Sequence, residues 1–119
     1  LDQLQFHDYP SAYAFLSAHV GVDEAVLMLS PRSFYLQQTD LQIIQIPSEK
    51  KMTVADLQEL ITKNPRGWIV WPQYKNYHLS VEVQQFIQRR FEKVDGAVET
   101  NMIMYRYDFS RDAITSRTQ

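Results

Sequence analysis

Ala25-Val26-Leu27-Met28-Leu29 is a continuous apolar run, and a run of that length between turn signals predicts a strand buried on both faces, not one alternating between core and water. A second run, Gly67-Trp68-Ile69-Val70-Trp71, is stopped by Pro72 and reads the same way. Two strands with no wet face need covering layers on both sides, and helices flanking a sheet supply them.

The flanking sequence provides those helices. Ahead of the first run, Ala12, Phe15, Leu16, His19 and Val20 recur at three- and four-residue spacing from Asp8 to Val20, with Pro10 tolerated in the first turn and Gly21 placed to end the helix. After it, Ser30-Pro31 matches an N-cap followed by proline at the first helical position, opening a short helix through about Gln38. Leu41 to Ile46 is rich in isoleucine but interrupted by glutamine, which predicts an edge strand before Pro47. Thr53-Val54-Ala55-Asp56 resembles a capping box, and Val54, Leu57, Leu60 and Ile61 share one face of the helix it starts, which ends near Asn64-Pro65.

Beyond the second run, Ser80 caps a long helix with a stripe of Val83, Phe86, Ile87, Phe91 and Val94, closed by Gly96. Asn101 to Tyr107 reads as the last strand, with Arg106 implying one wet side. Strands and helices alternate throughout, so the expected fold is α/β: a three-layer Rossmann-like sandwich with a four-stranded, mostly parallel sheet in the order 2-1-3-4. Residues 1–108 form one domain in this reading and 109–119 a flexible polar tail.

At 119 residues the chain suits one domain, burying roughly two thirds of its unfolded surface. The net charge of -2 offers no general field for phosphate backbones, so no nucleic-acid partner is expected. The absence of cysteine removes disulfides, thiolate catalysis and cysteine-based zinc sites. His7, His19 and His78 are scattered without metal-ligand spacing, and no metal or other cofactor is expected. No stretch reaches the roughly 18 apolar residues of a membrane span, so the chain is expected to be soluble. It begins at Leu1 with no initiator methionine or signal pattern, which is expected of an excised segment or a processed chain.

In an open α/β sheet ligands gather beyond the carboxyl ends of the strands where the order reverses, here between strands one and three. Ser30, Arg32, Ser33 and Tyr35 follow the first of these strands; a helix start, a guanidinium and hydroxyls suit an anion. Gln73, Tyr74, Lys75, Asn76, Tyr77 and His78 follow the other and combine rings, amides, a cation and an imidazole, a mixture that holds sugars or phosphosugars. The first segment equally fits an ordinary capped helix with a surface arginine, and the second an exposed loop resting aromatics on its neighbours. Ser30 lacks the GxSxG elbow of a hydrolase, neither GxGxxG nor GxxxxGK[ST] is present, and no paired carboxylates stand out. No catalytic residue is assigned.

The helix Tyr9-Pro10-Ser11-Ala12-Tyr13-Ala14-Phe15-Leu16 leading to Val22-Asp23-Glu24-Ala25-Val26-Leu27, then Phe34-Tyr35-Leu36, Arg66-Gly67-Trp68-Ile69-Val70, and a late helix with Phe91 before Met104-Tyr105-Arg106-Tyr107 form an ordered set spanning most of residues 8–108. In that order they resemble the soluble C-terminal domain of bacterial C-type membrane glycosyltransferases, the group of dolichyl-phosphate-mannose-protein mannosyltransferases and lipid A aminoarabinose transferases. The resemblance implies a non-catalytic accessory domain outside the cytoplasm, partnered by the membrane domain of the same parent protein and aiding acceptor or sugar-lipid access. In that family the acidic catalytic residues belong to the membrane part, so none is carried over to this chain. The alternative function is a small α/β module binding a phosphosugar or other anion at the switch point, and the alternative location is the cytoplasm.

Overall fold

The computed structural model describes residues 9–29, 40–46, 52–72, 79–96 and 102–110. Within them the elements run α1 (Tyr9–His19), β1 (Ala25–Leu29), β2 (Ile43–Ile46), α2 (Val54–Lys63), β3 (Arg66–Pro72), α3 (Val81–Arg90), β4 (Glu92–Lys93) and β5 (Met102–Asp108). The short helix expected after Ser30 lies outside the described residues.

β1 earns its central place by burial: Ala25, Val26, Leu27 and Met28 are all buried. It pairs in parallel with β2 on one side and with β3 on the other. Alternate side chains enter opposite cores, as the two-residue period of a strand requires. Val26, Met28, Trp68, Val70, Met102 and Met104 meet Ala12, Tyr13 and Leu16 of α1 on one face. Leu27, Ile69, Trp71 and Tyr107 meet Leu57 and Ile61 of α2 and Val83 and Ile87 of α3 on the other. Helices therefore cover both faces of a mixed α/β sheet.

The sheet order is β2-β1-β3-β5-β4, five strands where the sequence predicts four. It is half antiparallel instead of mostly parallel, because β5 runs against β3 from Arg66↔Asp108 to Pro72↔Met102, and β4 runs against β5. One cause is the end of α3. The apolar stripe predicts helix to about Val94, but Phe91 is the C-cap in extended backbone (φ -110°, ψ 158°). Its ring packs among Phe86, Tyr107 and Phe109 and is buried there. Glu92 and Lys93 then pair with Arg106 and Tyr105, and Val94 N–H donates to the Met104 carbonyl.

The capping signals at the starts of α2 and α3 hold. The Thr53 hydroxyl accepts from Asp56 N–H (3.1 Å), while the Asp56 carboxylate accepts from Thr53 N–H (3.0 Å), the reciprocal box that satisfies two helix-end donors. Ser80 Oγ accepts from Val83 N–H (3.2 Å). At α1 the buried residues are Ala12, Tyr13 and Leu16; His19, counted on the apolar face by spacing, is exposed and stacks on Phe15 at 4.2 Å. Phe109, counted with the tail, instead packs half-buried beside Phe91 and Tyr107, its N–H bonded to the Pro65 carbonyl. Residues 111–119 lie outside the described set.

Gly67 is required by a close approach. A Cβ there would run into the Ala25 carbonyl and stand 2.8 Å from the Tyr107 hydroxyl. The glycine lets β1, β3 and the Tyr107 side chain meet beside the charged residues Glu24, Arg66 and Arg106.

Candidate functional site

The ten candidate residues taken from sequence, Ser30, Arg32, Ser33, Tyr35, Gln73, Tyr74, Lys75, Asn76, Tyr77 and His78, all lie outside the described residues. What is described is the pair of strands that precede them. β1 and β3 are hydrogen-bonded neighbours with Met28 opposite Val70, so their carboxyl ends stand side by side on one edge of the sheet. The chain order reverses between them, with β2 on the far side of β1.

At the opposite edge the described residues assemble a charged cluster around Glu24, which immediately precedes β1. Glu24 is only 2% exposed. Its Oε1 accepts from Gly21 N–H (2.7 Å) and from Trp68 Nε1–H (3.0 Å). Its Oε2 accepts from Arg106 Nε–H (3.0 Å) and Nη2–H (2.7 Å). The register explains the convergence, because Trp68 and Arg106 are direct partners across β3 and β5 and point to the α1 face. The Arg106 guanidinium lies 5.4 Å from the Trp68 ring centre, so the indole meets the cation with its face while donating to the anion.

Arg66 adds an outer layer. It pairs with Asp23 through Nη1, stands 3.9 Å from Glu24 through Nη2, and places Nε 3.4 Å from Asp108 Oδ2 in a geometry that makes an ion pair but no hydrogen bond. The Tyr107 hydroxyl donates to the Asn64 carbonyl (2.8 Å). Arg66, Arg90 and Arg106 share an open depression of about 370 Å³ with Glu24, Glu92 and Asp108. Three guanidiniums face three carboxylates there, so the depression carries no excess charge to draw an anion.

Burial alone would raise the pKa of Glu24, yet the hydrogen bonds from Gly21, Trp68 and Arg106, with the positive charge of Arg106, outweigh it and hold the carboxyl below its ordinary value. Tyr107 moves the other way, pushed up by burial and by the negative charge of Glu24. A carboxylate kept ionised with both oxygens occupied is a poor proton donor and has no free lone pair for a substrate. The arrangement is a clamp joining the α1–β1 turn to β3 and β5.

The chain matches no known protein family, no curated protein and no solved structure.

Sequence reading missed this cluster. Glu24 passes for a turn residue, and the only signal on Arg106 is the wet side it implies for the last strand. Its partnership with Glu24 spans 82 positions and follows from the β3–β5 register, which no local spacing encodes.

Proposed function

We propose that this chain is a non-catalytic accessory domain of a polytopic, glycosyltransferase-like membrane protein, placed on the extracytoplasmic side and shaping access of acceptor or sugar-lipid. The supporting observation is the convergence at Glu24. Asp23-Glu24, Arg66-Gly67-Trp68 and Tyr105-Arg106-Tyr107 belong to three separate segments that carry the resemblance to that family's C-terminal domain, and all three meet in one cluster. A cluster that ties three segments together acts as a scaffold, and the saturated Glu24 carboxylate agrees with that role. No helix among the described residues is long and apolar enough to cross a membrane, so in this reading the spanning part belongs to the remainder of the parent.

Two fused reporters test this reading, one active only outside the cytoplasm and one fluorescent only inside it, each joined to this domain in its parent protein. Activity of the first and silence of the second are expected. The reverse result overturns the proposal.

A second reading is favoured by the neighbouring carboxyl ends of β1 and β3: a module that takes a phosphosugar at the switch point through Ser30, Arg32, Ser33 and Tyr35 with Gln73 to His78. Titration of the labelled chain with phosphosugars and polyprenyl-phosphate head-group analogues would then give saturable amide shifts confined to those residues. A well-dispersed spectrum that stays silent removes this reading.

A further inference from the structure

A second depression, of about 410 Å³, opens where α1 ends beside the start of β2. Its described lining is Ser17, Val20, Gly21, Val22, Glu24, Asp40, Leu41 and Gln42, with no lysine or arginine among these described residues. Three features give it a definite chemistry.

The first is Asp40. Asp23 and Glu24, the acidic residues just before β1, are each held by a partner, whereas the exposed Asp40 carboxylate, which lines the depression, makes no ion pair or hydrogen bond among the described residues. The second comes from the Glu24 clamp. Val20 N–H caps the Leu16 carbonyl, but Gly21 N–H, which in a continuing helix would reach Ser17, is diverted to Glu24 Oε1. The Ser17 carbonyl, on a residue lining the depression, therefore receives no backbone donor among the described residues. It adds the partial negative charge of a helix carboxyl end. The third is apolar: Val20 and Leu41 are half-buried and Val22 is fully exposed, a wall that gains by being covered.

We propose that this depression binds a primary ammonium carried on an aliphatic stem, with Asp40 as counter-ion, the Ser17 carbonyl as a second acceptor and Val20, Val22 and Leu41 against the methylenes. An ammonium has three donors and no acceptor, matching a wall that offers oxygens, and its stem is the part that buries on valine and leucine. Glu24 takes no direct part, because its oxygens are already occupied. The site is independent of the parent protein proposed above and of the switch-point edge.

The test is a two-dimensional amide NMR titration of the intact chain with cadaverine, with Nα-acetyl-lysine amide and with pentanol. Both ammonium probes are expected to shift Ser17, Val20, Val22, Asp40, Leu41 and Gln42 saturably, with roughly tenfold weaker binding in Asp40→Asn from loss of a charge-assisted contact. Asp40 is exposed and unpaired, so that variant keeps its fold, which its spectrum verifies directly. Binding of both probes assigns a lysine side chain of a partner as a sufficient occupant, and binding of cadaverine alone assigns a free amine; either supports the site. Silence with both probes, equal shifts with pentanol, or unchanged affinity in Asp40→Asn overturns it.

Discussion

The middle of β1 and β3 and their amino-terminal ends are held together by different physics. In the middle, Val26, Leu27, Ile69 and Val70 are at most 1% exposed and belong to the two apolar cores, so their contribution is non-directional and tolerates other apolar side chains of similar volume. At the ends, Glu24 is equally buried but ionised, and its contribution depends on four donors standing at hydrogen-bond distance. A packed middle is broken by inserting charge, and a clamped end by removing it.

The largest effect is therefore expected from Val70→Asp, which places an unpaired carboxylate at a position with no exposure and should cost about 4 kcal/mol or more. Thermal or denaturant unfolding near wild type would disprove the burial of β3. Gly67→Ala probes the boundary between the two regions, since its Cβ would meet the Ala25 backbone and the Tyr107 hydroxyl. A loss of about 3 kcal/mol is expected from such overpacking, and a change under ~1 kcal/mol in urea unfolding would contradict the close approach.

Glu24→Gln should cost about 2 kcal/mol, less than a fully buried pair, because the Arg106 side chain keeps 44% of its exposure and is rehydrated. The pH dependence carries the same information with a definite sign. Glu24 has a folded-state pKa below its ordinary 4.5, so in that window the unfolded chain binds more protons than the native one. Its contribution is complete above the ordinary value and is lost as pH falls through the folded value. Stability measured down this acid limb should fall less steeply in Glu24→Gln; parallel limbs would show that the carboxylate is not clamped.

Tyr107→Phe is the smallest expected change, about 1 kcal/mol for the hydrogen bond to the Asn64 carbonyl. It also has a signature in alkali. Because the folded-state pKa lies above the ordinary 10.0, the unfolded chain releases its proton first, and this contribution declines as pH rises past that value. Loss of the alkaline limb in Tyr107→Phe is the expected observation, and an unchanged limb would refute it.

How much of this was legible in the sequence follows from the same division. The middle was readable because burial on both faces leaves an uninterrupted apolar run, as in Ala25 to Leu29 and Gly67 to Trp71, and the Thr53–Asp56 box was readable because its parts lie three residues apart. β4 and the antiparallel course of β5 were not. Phe91 continues the helical spacing of α3, and only the ring cluster with Tyr107 and Phe109 reveals that the chain turns there. The clamp was illegible for a related reason, since Glu24, Trp68 and Arg106 become neighbours only once three strands have found their register. Composition points to the segments carrying Ser30 to Tyr35 and Gln73 to His78, and of that site the described residues supply the paired strand ends.

The bond between Glu24 and Arg106 closes a loop of 82 positions, and closure of long loops comes late because their entropy is lost before any contact rewards it. Refolding should thus proceed with β1 and β3 already joined and Glu24 still hydrated, the clamp shutting when β5 docks. An interaction absent from the transition state governs escape from the native basin more than arrival in it. Glu24→Gln should accordingly leave the refolding rate near wild type and speed unfolding, and Trp68, whose indole meets the Arg106 cation when β5 docks, times that event by its fluorescence once Trp71 is replaced by phenylalanine.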